Sequence, residues 1–186
     1  MSLVKSAKYR HLGGNVAGGD PACLEYGVAM WLVEKYEVKT VLDVGCGEGQ
    51  MVDFFKGFGC WAVGLEGLPR NAEAANFPTI VWDITDGPLR IDKIDLVWCV
   101  EVAEHIDEIF VDDFIETLAN GALVCMTFSP PGQRGYHHVN CQPEEYWIEK
   151  METAGYGYMD TETVEMRTHA HGFIAETGLL FGRKRC

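Results

Sequence analysis

The 186-residue sequence predicts an α/β fold: a doubly wound, mostly parallel seven-stranded sheet with an antiparallel last strand and helices on both faces. Three observations predict it. Short apolar runs alternate with helical segments at short intervals, which is the pattern of βαβ units and so of a parallel sheet. One of those runs, TVLDV (40–44), ends in the glycine cluster GCGEG (45–49) just before a helix. The last two strand candidates show no helical segment between them and are therefore expected to pair antiparallel.

The elements follow in chain order. Residues 1–20 are polar and glycine-rich, and HLGGNVAGGD (11–20) has too few apolar side chains to pack by itself. Its glycines suit a flexible lid over a pocket. Asp20 then Pro21 reads as an N-cap followed by proline at the first helical position. Leu24, Val28, Trp31 and Leu32 recur at helical spacing, predicting a helix over 22–36. TVLDVG (40–45) is a buried strand, and 49–57 a helix. CWAVGLE (60–66) is the second strand. Pro69 opens a helix that ends near 76–78, and TIVW (79–82) is the third strand. IDLVWCV (94–100) is the fourth, and a helix covers 107–118. ALVCMTFS (122–129) is the fifth, and 130–140 is a loop. Pro143 starts a helix that Gly155 stops. Two late strands fall near 157–166 and 173–182. No repeat, low-complexity tract or linker divides the chain, so residues 1–186 are expected to form one domain, with 1–20 as its lid.

Bulk properties exclude several function classes. Fifteen basic against 28 acidic residues give a net charge of −13. Such a surface repels phosphate backbones at long range, which argues against a nucleic-acid partner. No apolar stretch is long enough to span a bilayer, and MSLVKSAKYR has no apolar signal core. The seven cysteines (23, 46, 60, 99, 125, 141 and 186) are never spaced as CxxC, and their number is odd. This fits a reducing cytoplasm, with neither a disulfide framework nor a cysteine zinc site, and no metal is assigned.

The sharpest local signal is Asp43-Val44-Gly45-Cys46-Gly47-Glu48-Gly49. Glycines between a strand and a helix permit a tight turn and close approach of a ligand to the backbone. The amides at the following helix start favour a negative ligand group. A dinucleotide fingerprint would be G-x-G-x-x-G. Here the third glycine comes one residue early, and Gln50 holds its place. Asp43 would repel a pyrophosphate but suits a cation such as an amino acid's ammonium group. Glu66, ending the second strand 21 residues after Gly45, can accept hydrogen bonds from both hydroxyls of a ribose. Asp83, after TIVW, can accept one from an adenine amino group, although Asp83-Ile84-Thr85-Asp86-Gly87-Pro88 is also good turn chemistry.

With VLDVGCGEG (41–49), GLEG (64–67), WDIT (82–85), CVEVAEHI (99–106) and the late strand pair, the chain resembles the Rossmann-like class I S-adenosylmethionine-dependent methyltransferases, over nearly its whole length. HHVNCQPEEYWIEKMETAGY (137–156) is similar to a segment of small members of the type 11, 12 and 23 groupings. The resemblance implies S-adenosylmethionine as cofactor. It implies that Asp43, Gly45, Cys46 and Gly47 surround the methionine part. Glu66 and Gly67 then meet the ribose, with Leu65 and Leu68 flanking the adenine. Asp83 and the Ile84 backbone meet the adenine edge, and Glu101 faces the methionine end and the substrate.

The cofactor supplies the reactivity, so the protein mainly aligns an acceptor and excludes water. Glu101, Glu104 and His105 lie just beyond the fourth strand, and His137 and His138 follow the fifth. In a doubly wound sheet both loops sit at the carboxyl edge, beside the ligand crevice. Glu101, His105 and His138 are the catalytic candidates, a histidine being the general base where one is needed. Tyr136, Tyr146 and Trp147 are candidate pocket walls, and His169 and His171 surface turn residues. The expected activity is methyl transfer to a small-molecule acceptor. One alternative is a catalytically silent S-adenosylmethionine-binding protein. The other is a metal-dependent RNA-end 2′-O-methyltransferase, since Glu101, Glu104, His105 and one of His137 or His138 resemble the metal-binding set of such enzymes. A nucleotide-dependent oxidoreductase is opposed by Gln50 and Asp43.

Overall fold

The computed structural model describes residues 3–9 and 11–184; Cys186 and parts of the expected lid therefore lie outside the described residues. The chain begins with a small antiparallel hairpin, β1 (Leu3–Lys5) and β2 (Gly13–Val16). The main sheet is built from β3 (Thr40–Val44), β4 (Trp61–Glu66), β5 (Thr79–Val81), β6 (Ile94–Cys99), β7 (Gly121–Met126), β8 (Tyr156–Tyr158) and β9 (Leu179–Arg183). Its spatial order is β5-β4-β3-β6-β7-β9-β8. All neighbours are parallel except β9, which runs antiparallel to both β7 and β8.

The strands are apolar on both faces because helices cover both. Leu42, Val44, Val97 and Cys99 face one cluster, which takes in Phe114 and Leu118 of α4 (Val111–Leu118) and Trp147 of α5 (Glu144–Thr153). Val41, Leu96 and Trp98, the alternate positions, face the other. That second cluster holds Val28 and Leu32 of α1 (Tyr26–Tyr36), Val52 and Phe55 of α2 (Gln50–Gly57), and Met166. Each fully buried side chain of this size contributes about 1.5–3 kcal/mol of transfer free energy. The short helix α3 (Pro69–Ala74), opened by its proline, returns the chain from β4 to β5. Among the described residues no helix is long and apolar enough to cross a membrane.

Two expectations are corrected. The first helix begins at Tyr26, not at 22. Asp20 does cap the Ala22 amide at 2.9 Å, but the cap serves only a turn. The Glu25 carboxylate is instead drawn to the 171–174 loop, where it accepts hydrogen bonds from the His171, Gly172 and Ile174 amides at 2.9, 2.8 and 3.2 Å. The second correction concerns the last two strands, which are separated by helices: α6 (Asp160–Arg167) and α7 (Phe173–Thr177). Thr163 and Met166, three residues apart, are the buried face of α6, and Asp160 and Glu162 sit in its first turn, where acids are favourable. The two strands still pair antiparallel.

Candidate active site

The carboxyl ends of β3, β4 and β6 meet where the strand order reverses, the usual crevice of a doubly wound sheet. A cavity of about 410 Å³ opens there, within the range of small-ligand pockets. Asp43, Gly45, Cys46 and Gly47 line it from β3 and the following turn. Glu66 and Gly67 line it from β4, and Asp83 and Ile84 from the end of β5. Glu101, His105 and His138 form its far end with Tyr136. Leu68 is buried but contributes a backbone amide and not a wall. Trp147 packs in the core with Tyr146 against it, so of the three aromatic candidates Tyr136 alone borders the cavity. His169 and His171 lie exposed in turns on another surface.

The glycine turn is shaped by contact as well as by backbone angle. Gly45 has φ +73°, and a methyl group there would lie 2.4 Å from Val102 Cγ2. The Gly45 and Cys46 amides both donate to the Leu65 carbonyl, at 2.8 and 3.1 Å. The Gly47 amide donates to Glu66 Oε2 at 2.9 Å, and the Leu68 amide to Glu66 Oε1 at 2.7 Å. Glu66 thus welds the turns after β3 and β4 together. Three amides that could have faced an anion are already used.

Electrostatics set the ligand class. Six carboxylates line the cavity (Asp20, Asp43, Glu48, Glu66, Asp83 and Glu101), and among the described residues no lysine or arginine does. Burial first, and then Glu66, pushes the Asp43 carboxyl up to about 8. Burial also raises Glu66, although the Leu68 and Gly47 amides pull the other way. Such acids ionise more readily beside a positively charged ligand and less readily beside a pyrophosphate. The residues present therefore fit a sulfonium- and ammonium-bearing cofactor.

Asp83 is also a cap. Its Oδ1 accepts from the Thr85 amide and hydroxyl at 3.0 and 2.7 Å, and its Oδ2 lies 2.6 Å from His11 Nε2. These hydrogen bonds outweigh burial and hold its carboxyl below the ordinary value.

At the far end Glu101 sits at φ +58°, a left-handed conformation that costs a non-glycine residue free energy and recurs at functional sites. Buried Thr127 holds it there: its hydroxyl accepts from the Glu101 amide at 2.7 Å and donates to Glu101 Oε1 at 3.0 Å. The Glu104 carbonyl accepts from the Val139 and Asn140 amides at 3.0 and 3.1 Å, which draws the 137–140 loop to the site. His105 and His138 consequently stand edge to face, 5.1 Å apart. Burial, then His138 and His137, lowers His105 to about 4, so it is neutral at pH 7. Burial lowers His138 as well. Burial and then Glu101 raise Glu104, which is fully enclosed. His137, by contrast, lies outside the cavity wall.

The sequence pointed to the glycines of 11–20 but not to their partners. Leu12 packs over Gly67, where a methyl would come within 2.6 Å of Leu12 Cδ2. Asn15 accepts a hydrogen bond from Asn71 Nδ2 at 3.0 Å. Neither His11, Asn15 nor Asn71 carries a motif that would reveal it.

Comparison with known proteins agrees with this geometry. A protein-family model described as a methyltransferase domain matches residues 28–175. The chloroplastic tocopherol O-methyltransferase of Arabidopsis thaliana is 30% identical over 105 residues, a stretch covering 49% of this chain and 30% of that protein. The chain thus accounts for under a third of the length of that curated relative. Among solved structures, a TehB-like SAM-dependent methyltransferase from Corynebacterium glutamicum aligns with a TM-score of 0.63 at 18% identity, covering 90% of this chain and 91% of that one. Magnesium protoporphyrin IX methyltransferase from Synechocystis PCC 6803, with bound SAM, aligns at 0.61 and 16% identity over 88% of this chain and 79% of that one. The methyltransferase domain of bacterial CtHen1 aligns at 0.62 and 17% identity over 88% and 98%. At these identities the structural likeness shows a shared fold.

Proposed function

The chain belongs to the methyltransferase-domain family, whose members use S-adenosylmethionine, and from that premise we propose that it methylates a small acceptor that is not an anion. The observation that carries this reading is the cavity wall, with six carboxylates and, among the described residues, no lysine or arginine. One relative is a tocopherol O-methyltransferase and one structural neighbour a magnesium protoporphyrin IX methyltransferase, which is consistent with a small acceptor. A cytoplasmic setting fits the six described cysteines, all free thiols.

When bound, the cofactor supplies a methyl group already activated on a sulfonium. The chain's own residues do the rest. Asp43 would hold the ammonium group, and Glu66 the ribose. Asp83 and the Ile84 backbone would meet the adenine edge. Glu101, fixed by Thr127, separates the donor end from the acceptor end. His138 is the candidate base for an acceptor proton, with His105 behind it and Tyr136 as a wall excluding water.

Calorimetric titration with S-adenosylhomocysteine tests the reading, using Glu66→Ala and NADH as controls. Binding by the wild type, its loss in the variant and silence with NADH support it. Binding of NADH alone overturns it.

A second reading is favoured by one observation. Glu104, His105 and His138 offer ligand atoms all within 4.8 Å of one another, and the Glu104 carboxylate is buried with no hydrogen-bond partner among the described residues. That donor set suits a divalent cation, as a metal-dependent transfer to an RNA-end hydroxyl would use. Elemental analysis of the purified protein decides: no bound metal, with activity undiminished by a chelator, sinks this reading.

A further inference from the structure

The N-terminal hairpin reaches both ends of the cavity. Its His11 meets Asp83 at the β5 side, and a methyl on Gly14 would come within 3.0 Å of Tyr136 and 3.4 Å of His105 at the acceptor side. Between these points Asn15 faces the turn after β3; the nearest neighbour of a methyl placed on Gly47 would be Asn15 Cβ, at 3.8 Å.

Hydrogen-bond counting at Glu66 and Asn15 shows what Asn15 is for. A carboxylate has about four acceptor positions. The Gly47 and Leu68 amides take two, one on each oxygen. One position remains on each oxygen of Glu66. Asn71, buried, donates to Asn15 Oδ1 at 3.0 Å. With Asn71 Nδ2 the donor in that pair, Asn15 Oδ1 is the acceptor and Asn15 Nδ2 points elsewhere. Asn15 is left with a free lone pair on Oδ1 and with an Nδ2 that is shut off from solvent and has no partner among the described residues. A buried donor without a partner costs free energy until an acceptor arrives.

We infer that Asn15 is a cofactor-binding residue that shares the ribose diol with Glu66, one hydroxyl going to the carboxylate and the other to the Asn15 carboxamide. This rests on the S-adenosylmethionine reading above. The hairpin is then part of the cofactor site, and its closure is completed by the ligand's own oxygen. Asn71 is a positioning residue, holding the Asn15 carboxamide in place.

The test is a binding cycle. Wild type, Asn15→Ala and Asn15→Asp are titrated calorimetrically with S-adenosylhomocysteine and with its 2′-deoxy and 3′-deoxy analogues. Asn15→Ala is expected to weaken S-adenosylhomocysteine binding about tenfold, and Asn15→Asp, which also loses the Nδ2 donor, by at least as much. One deoxy analogue should bind more weakly than S-adenosylhomocysteine to the wild type yet equally to Asn15→Ala. If both analogues lose affinity equally in wild type and Asn15→Ala, the inference is overturned. If the wild type fails to bind S-adenosylhomocysteine at all, it is the function reading that falls. Circular dichroism melting of Asn15→Ala, expected to match the wild type, separates lost binding from lost folding.

Discussion

His11 Nε2 lies 2.6 Å from Asp83 Oδ2, a contact across 72 residues of sequence that ties the N-terminal hairpin to the end of β5. The His11 side chain is 39% exposed, so the pair holds the hairpin by about 1 kcal/mol or less. His11→Ala should leave the melting temperature nearly unchanged but let trypsin cut faster at Lys5 and Lys8. S-adenosylhomocysteine should lose up to about fivefold in affinity by calorimetry. Deleting residues 1–20 should impair turnover and cofactor retention; unchanged kinetics would refute the lid.

Asp43 should make cofactor binding pH-dependent. Its carboxyl titrates near 8 in the folded protein against an ordinary 3.8. Unfolded chains therefore bind fewer protons between those values, and this group's contribution to stability falls as pH rises from about 4 to about 8. An ammonium ligand favours the ionised form, so binding at pH 7 should release about one proton. Affinity should climb by up to about tenfold per pH unit between pH 6 and 8, then level off. Titrations in two buffers of different ionisation enthalpy measure the proton; identical heats would contradict the role of Asp43.

Gly45→Ala should destabilise by about 1–3 kcal/mol, because the new methyl meets Val102 and the backbone is left-handed. A fall in melting temperature of about 2–10 °C is expected, with loss of cofactor binding. Adding Val102→Ala removes the clash but not the backbone cost, so the double variant should recover part of the loss. No recovery would mean that backbone angle alone demands glycine.

Glu25 is fully buried and accepts from three amides of the 171–174 loop. Glu25→Ala leaves the buried Ile174 amide and the half-buried His171 and Gly172 amides without their acceptor, a cost of about 1–3 kcal/mol. Glu25→Gln offers one acceptor oxygen in place of two and should recover only part of it. Chemical denaturation measures both; a difference below about 0.5 kcal/mol between wild type and Glu25→Ala would show that water replaces the carboxylate.

Legibility in the sequence followed the range of the interaction. TVLDV, CWAVGLE and IDLVWCV are apolar on both faces and were readable to within a residue or two, because burial on two sides leaves no alternation to misjudge. Asp43, Glu66 and Glu101 are readable as cavity residues because each lies at or just beyond the carboxyl end of a strand. Residues 160–167 read as strand because Tyr156-Gly157-Tyr158 suggests a longer one, while the helical face after it rests on two buried side chains. The hairpin was not legible as strands, since Gly13–Val16 is only half-buried and carries no apolar alternation. Asn15 and His11 gain meaning only from partners 56 and 72 residues away.

The place of β9 in the sheet also bears on synthesis. It follows β8 in the chain but lies between β7 and β8 in space. A ribosome adding about 5–20 residues per second takes about 1–4 s over the roughly 20 residues from the end of β8 to the start of β9. For that interval the nascent β7 edge, with Val124 and Met126 buried in the finished protein, has no neighbour on one side. Chains stalled there are the ones a chaperone would be expected to meet, and a truncation before Leu179 should aggregate, not merely lose activity.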